Sequence, residues 1–165
     1  MNIVYLLTGG NVGNRQQYLE NAALLIETAC GKITRRSAVY ETAAWGKTDQ
    51  AAFLNQALEL STLLDPGELM KALLLIEQKT GRERSEKYGP RTIDIDILLF
   101  NSAIVQSVLV TIPHPQMANR RFVLVPMAEI APAFRHPLLQ KNISELLTNC
   151  ADPLDVKKFY AASGV

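Results

Sequence analysis

Residues 87–100 read KYGPRTIDIDILLF, and the rest of the chain is best placed outward from them. From Thr92 onward the residues are those of a buried strand, interrupted by aspartates at 94 and 96. Side chains alternate faces along a strand, so Asp94 and Asp96 share one face while Ile93, Ile95 and Ile97 take the other. Their Cα atoms then stand about 6.6 Å apart. Carboxylates that converge to about 5 Å repel by roughly 3 kcal/mol at an effective dielectric of about 20. A domain stable by only about 5–15 kcal/mol does not carry that cost idly. Either one carboxyl keeps its proton or positive charge sits between them.

A bare D-x-D recurs on solvated strand faces, so the spacing alone decides nothing. The neighbours do: Arg82, Arg84, Lys87 and Arg91 lie upstream, Arg120 and Arg121 downstream. Magnesium takes one or two carboxylates together with substrate phosphates and water. Arginine grips phosphate through a bidentate fork. The pattern points to a magnesium–nucleotide site. Residues 82–91 are polar and charged, and read as a connection able to close over phosphates as a lid.

Around this strand the elements fall in the order β-α-β-β-α-β. NIVYLLTGG at 2–10 is a buried first strand. Asn14 with Gln17 marks a helix start, Leu19, Ala22, Ile26 and Ala29 its apolar stripe, and Gly31 its end. A second strand is expected from about Ile33 to Glu41. In FLNQALELSTLL at 53–64 the alternation of Phe53, Asn55 and Glu59 with Leu54, Leu58 and Leu60 suits a half-buried strand, while the Leu- and Ala-rich composition leaves a helix open. Asp65, Pro66 and Glu68 open a capped helix with the stripe Leu69, Leu73 and Ile76, ended at Gly81. Beyond Phe100, a strand or hairpin and a short helix over RRFVLVPMAEIAP are expected. This order predicts a single α+β domain over 1–165 with a ferredoxin-like core, an antiparallel sheet with helices on one face.

The chain has 165 residues and a net charge of +1, which speaks against a protein built around nucleic acid, since phosphate-backbone affinity needs surplus Lys and Arg. Its two cysteines, Cys30 and Cys150, have neither metal-ligand nor scaffold spacing and read as reduced thiols. The N-terminal apolar run is too short for a signal peptide or membrane span, and a cytoplasmic protein is expected. GKT at 46–48 imitates the end of a P-loop, but Glu41 stands where its first Gly belongs; TGGNVG at 8–13 has Thr8 where a dinucleotide fingerprint needs Gly. Two rivals are a D-x-D nucleotidyltransferase, whose Gly-Ser turn usually sits just before the acids, and a ferredoxin-like RNA-binding module, which would present strand aromatics rather than acids.

YGPRTIDIDILLF, together with GRER, IPHP and NRRFVLVPMAEIAP, resembles the 6-hydroxymethyl-7,8-dihydropterin pyrophosphokinase family of folate biosynthesis. The family's Gly-Pro-Arg-x-x-Asp-hydrophobic-Asp-hydrophobic-hydrophobic run is met from Gly89 to Leu98. GGN at 9–11, YET at 40–42, WG at 45–46, DQ at 49–50 and FLN at 53–55 agree in order. The similarity runs from Tyr5 to about Pro132.

The resemblance implies transfer of the β,γ-pyrophosphoryl unit of ATP to the pterin hydroxymethyl oxygen, with AMP released, two Mg2+ ions used and a monomeric ferredoxin-like protein. It further implies that Asp94 and Asp96 ligate metal and that Arg82, Arg84 and Arg91 serve the phosphates and catalysis. Glu77, Lys87, Tyr88, Ile97, Thr111, His114 and Arg120 would join Arg84 and Arg91 around ATP, with Ile97 as an adenine-pocket wall. Thr42, Ala43, Trp45, Phe53, Asn55 and Phe122, with Asp94, would hold the pterin. On the strand reading Phe53 and Asn55 share a face, which offers a pterin both a stacking plane and an amide. Pro113 and Pro115 are expected to hold the His114 ring outward, and His136 matches no motif and reads as structural. Ala44, Tyr88, Leu74 and Leu109 depart from common family residues. The chain beyond Asn142 carries little of the pattern, and whether it packs is open.

Overall fold

A computed structural model describes residues 1–43, 51–80 and 92–160. The first strand, β1 (Asn2–Gly10), leads into α1 (Arg15–Ala29). Asn14 caps α1 as expected, its side chain accepting from the Gln17 N–H at 3.2 Å. Leu19, Ala22 and Ile26 are buried, but the last buried residue of the stripe is Cys30; Ala29 is exposed. Gly31 then passes so close to the next strand that a Cβ would lie 2.1 Å from the Ser61 carbonyl oxygen, so only glycine turns the chain there.

The expected single strand over 33–41 is two: β2 (Lys32–Arg36) and β3 (Tyr40–Thr42). Both pair with β4 (Phe53–Thr62), so they form one broken strand. The break is stitched by Ser37, whose Oγ accepts from Ala57 N at 2.9 Å and whose N–H donates to the Ala57 carbonyl at 2.9 Å. For β4 the strand alternative holds, because it is the central strand, flanked by β1 on one side and β2 and β3 on the other. Next comes α2 (Pro66–Lys79), opened by the expected capping box: Asp65 accepts from Glu68 N at 2.8 Å and Glu68 accepts from Asp65 N at 3.0 Å. Gly81 and the proposed lid over 82–91 lie outside the described residues.

The aspartate strand, β5 (Asp94–Phe100), pairs with β1 and forms one edge of an antiparallel sheet. A short hairpin follows, β6 (Val105–Gln106) with β7 (Thr111–Ile112), and then a single 3-10 turn at Met117–Asn119 and α3 (Arg121–Ile130). The chain beyond Asn142 packs: α4 (Ile143–Thr148) lies on α3, and β8 (Val156–Lys158) pairs with β3 as the opposite edge of the sheet. The order β5-β1-β4-β2/β3, with crossovers through α1 and α2, is the ferredoxin-like arrangement.

The expectation of helices on one face needs correction. Val4, Leu6, Leu54, Leu58, Ile95 and Ile97 pack under Leu19, Ile26, Leu69 and Leu73 of α1 and α2. On the other face Tyr5, Leu7, Ala57, Leu98 and Leu99 meet Val123, Leu124 and Met127 of α3 and Ile143 of α4. A strand apolar at consecutive positions, such as β1, has two faces to bury and needs cover on both. A bulge in β5 serves the same end: Ile97 pairs with Leu6 and Leu99 with Tyr5, so Leu98 is the extra residue and the strand is re-aimed beyond it. No helix among the described residues is long and apolar enough to cross a membrane.

Candidate active site

Residues directly opposed in an antiparallel ladder share a face, which lets the register locate the site. Asp94 pairs with Gly9, Gly9 with Asn55, and Asn55 with Tyr40. One rung across four strands therefore carries a carboxylate, a gap, an amide and a phenol, all on the face covered by α3. Asp96 sits beside this rung opposite Leu7, and Phe53 lies opposite Thr42. Asp94 and Asn55 stand two strands apart, about 10 Å. Phe53 and Asn55 share a face as the strand reading expects.

The gap is held open by a close contact. A Cβ on Gly9 would fall 2.1 Å from Asn55 Oδ1, so the buried Asn55 amide leans across the glycine toward the aspartates. Tyr40 is fixed from α3: its hydroxyl donates to Glu129 at 2.5 Å, and Glu129 also accepts the Ala38 N–H at 3.0 Å. Burial, and then that carboxylate, raise the Tyr40 phenol well above its ordinary range; it stays protonated and donating.

The other wall comes from the segment leading into α3. The Arg120 guanidinium lies 5.7 Å from the centroid of the Phe122 ring, a cation–π arrangement. His114 donates its N–H to the Leu98 carbonyl at 2.9 Å, beside the aspartate strand, and its Nδ1 accepts from Gln116 N at 3.2 Å. The ring is half-buried rather than turned outward. Burial and then the Arg120 charge push its pKa down to about 4, against an opposing pull from Asp94. At neutral pH His114 is therefore uncharged. With Nδ1 accepting, its proton lies on Nε2, which makes it a hydrogen-bond donor.

Two of the residues expected around the nucleotide, Ile97 and Glu77, sit on the α1/α2 side of the sheet. Ile97 is 3 % exposed and belongs to the core under α1 and α2; its side chain is a core wall. Glu77 rises from α2 on that same face, and its carboxylate accepts the Ile95 N–H at 2.7 Å, seating the edge strand between the two aspartates. Thr111 is exposed on β7. Thr42 is buried, its hydroxyl donating to the Asp155 carbonyl at 2.9 Å, and Ala43 is exposed at the end of β3. Trp45, Arg82, Arg84, Lys87, Tyr88 and Arg91 lie outside the described residues, as does the departure at Ala44. His136 is structural as expected: buried, with Nδ1 accepting from Leu138 N and Leu139 N at 3.2 and 3.1 Å.

Asp94 and Asp96 are half-buried hard-oxygen donors on one face of an edge strand, with a glycine across from the first. Among the described residues no group of three or more His, Cys, Asp or Glu converges to hold a metal. The donor set fits magnesium, which is content with two carboxylates when phosphate and water complete its octahedron.

Residue reading missed the Gly9–Asn55 contact, the Tyr40–Glu129 bond and the role of Asp152, which accepts the Arg121 N–H at 3.0 Å. The motifs YET and AEIAP contained the second pair, yet nothing in them says they meet.

An aspartate pair on an edge strand of a ferredoxin-like sheet, with Arg120 and neutral His114 nearby and the buried Asn55 amide on the same face, defines the class: a ferredoxin-like protein with a candidate magnesium–phosphate site. The profile of the 7,8-dihydro-6-hydroxymethylpterin-pyrophosphokinase (HPPK) family matches residues 5–132. The chain is 47% identical over 130 residues to 2-amino-4-hydroxy-6-hydroxymethyldihydropteridine pyrophosphokinase of Bacillus subtilis, covering 78% of each. It is 40% identical over 145 residues to the protein of that name from Aquifex aeolicus, covering 88% of this chain and 90% of that one. Folic acid synthesis protein FOL1 of Dictyostelium discoideum matches at 39% over 90% of this chain but only 22% of its own length. Among solved structures, an HPPK-DHPS in complex with substrates superposes with a TM-score of 0.73 at 18% identity, over 89% of this chain and 43% of that one. The Plasmodium falciparum HPPK-DHPS superposes at 0.71 with 19% identity, over 90% and 43%. These two likenesses concern the fold. The chain belongs to the 7,8-dihydro-6-hydroxymethylpterin-pyrophosphokinase family.

Proposed function

We propose that this chain transfers the pyrophosphoryl group of ATP to the hydroxymethyl oxygen of 6-hydroxymethyl-7,8-dihydropterin, releasing AMP, as a step of folate biosynthesis. The rung Asp94–Gly9–Asn55 carries the reading, because it sets a metal-type carboxylate about 10 Å from a buried amide across a gap.

In this reading the pterin lies between the Phe53 and Phe122 rings, with its guanidine-like edge on the Asn55 amide and Thr42, Ala43 and Trp45 at the rim. Asp94 and Asp96 hold magnesium, two ions per turnover. Magnesium, when bound, neutralises triphosphate charge and stabilises the leaving oxygen. Arg120 pairs with the phosphates, and neutral His114 donates through Nε2 without adding charge. Arg82, Arg84, Lys87, Tyr88 and Arg91 close on the triphosphate, with Glu77, Ile97 and Thr111 on the nucleotide side.

The hydroxymethyl oxygen attacks the β-phosphorus in line. The bond from that phosphorus to the α,β-bridging oxygen breaks, and AMP leaves with the electron pair. The hydroxyl proton passes to water. The protein's part is positioning and charge stabilisation, and no side-chain nucleophile takes part. The protein acts as a monomer, a single domain over residues 1–165, in the cytoplasm, without nucleic-acid or membrane partners.

Product identification tests the reading. With ATP, Mg2+ and the pterin alcohol, AMP and a pterin diphosphate are expected in equal amounts. ADP with a pterin monophosphate would mean simple phosphoryl transfer, and free pyrophosphate would mean nucleotidyl transfer; either overturns it.

A further inference from the structure

The helix carrying Arg120 and Phe122 is capped from far along the chain. Arg120 occupies the N-cap position of α3, and a guanidinium has no acceptor with which to cap. The acceptor is Asp152, 31 residues on, whose Oδ2 receives the Arg121 N–H at 3.0 Å while Oδ1 receives Leu154 N at 3.0 Å. Asp152 is only 8 % exposed. A carboxylate at this end of a helix satisfies a first-turn donor and complements the helix dipole.

The same segment continues to the opposite wall. The Asp155 carbonyl accepts the Thr42 hydroxyl at 2.9 Å, β8 pairs along β3, and Phe159 N–H donates to the Val39 carbonyl at 2.8 Å. Arg15 closes the circuit, with its guanidinium 5.5 Å from the Phe159 ring centroid and an ion pair to Glu41 at 2.7 Å. Residues 152–159 therefore join the N-terminal end of α3 to the β3 wall of the candidate pocket, whereas the direct link between α3 and β3, Glu129 accepting the Tyr40 hydroxyl and the Ala38 N–H, lies at the helix's other end.

We propose that Asp152 is a positioning residue for the substrate pocket, and that residues 152–159 are the clasp holding the Arg120–Phe122 wall at a fixed spacing from the Thr42–Phe53 wall. The proposal rests on reading those four residues as substrate contacts. Without the carboxylate the first turn of α3 frays, and the Phe122 ring and Arg120 guanidinium lose their fixed placement. Asp94 and Asp96 sit on β5, which this segment does not contact through any hydrogen bond described above. The effect therefore falls on substrate affinity and spares the chemical step.

Asp152→Ala is expected to raise KM for both pterin and ATP about five-fold, the worth of one helix cap, with kcat within about two-fold of the parent. Asp152→Asn, which keeps one of the two acceptor oxygens for the Arg121 N–H, restores part of the affinity. Asn142→Ala is the control: it removes the α4 cap, where Asn142 Oδ1 accepts Glu145 N at 2.9 Å, and is expected to lower Tm comparably with KM unchanged. A wild-type KM in Asp152→Ala, or an equal KM change in Asn142→Ala, overturns the proposal. Should Asp152→Ala fail to fold, Asp152→Asn carries the comparison with a smaller rise. Exchange of the Arg121 amide needs no substrate: it is expected to quicken about five-fold in Asp152→Ala and to hold in Asn142→Ala, and unchanged exchange sinks the clasp. A parent protein without turnover would sink the pyrophosphokinase reading instead, leaving the exchange result to decide Asp152.

Discussion

Gly9 shows how much of the site rests on an atom that is not there. Its missing Cβ is the space into which Asn55 Oδ1 leans, and that lean is what turns the amide toward the gap between Asp94 and Asn55. In Gly9→Ala the amide must swing away or the strand must shift. Overpacking of this kind costs about 1–3 kcal/mol of stability. The lost amide contacts are expected to raise KM for the pterin about ten-fold or more while KM for ATP stays near the parent value. Steady-state kinetics with each substrate varied in turn checks this; an unchanged pterin KM would remove Asn55 from the pocket.

At the scale of elements, some features were legible in local chemistry and others were not. The Asp65–Glu68 capping box, the Asn14 cap and the strand carrying Asp94 and Asp96 are all settled by residues within four positions of one another. The split between β2 and β3 is not, because Ser37 bonds to Ala57 and the Ala38 N–H is taken by Glu129, 91 residues away. Cover for the second sheet face was equally invisible to a search for one amphipathic helix per strand pair, although the unbroken apolar run in β1 asked for it. His114 belongs to this scale too. Prolines on both sides predicted an outward ring, yet the backbone bond to Leu98 and the Gln116 N–H turn it inward. Its consequence is measurable. A histidine whose folded pKa is near 4, against about 6.5 unfolded, refuses a proton that the unfolded chain accepts. Stability therefore falls as pH drops from about 6.5 toward 4, and His136, lowered by burial, adds to the same trend. Urea unfolding in magnesium-free buffer is expected to show a loss of about 1–2 kcal/mol between pH 7 and pH 5 that is reduced in His114→Gln. A flat profile, or one that His114→Gln leaves unchanged, would contradict the buried neutral ring.

For the whole molecule, the ferredoxin-like sheet divides its labour by face. The face under α1 and α2 is mainly apolar core, and Glu77 reaches through it to hold the Ile95 N–H at the sheet edge. The face under α3 carries the aspartates, the amide and the aromatic rings, and its far edge is closed by β8. That second face follows from register, which a pattern of alternating residues can supply only once the strand order is known. The tail stayed unread because its work is done largely by its backbone groups and one carboxylate, which no residue pattern marks.

The central claim is that Asp94 and Asp96 keep their place on one strand face in order to hold divalent cations under a triphosphate. Paramagnetic resonance of Mn2+ in place of Mg2+, titrated into the protein with a non-hydrolysable ATP analogue and the pterin, measures this directly. Two tightly bound ions per chain are predicted for the parent protein, with at least one lost in Asp94→Ala and in Asp96→Ala while both variants remain folded by circular dichroism. Undiminished Mn2+ occupancy in either variant would contradict the account.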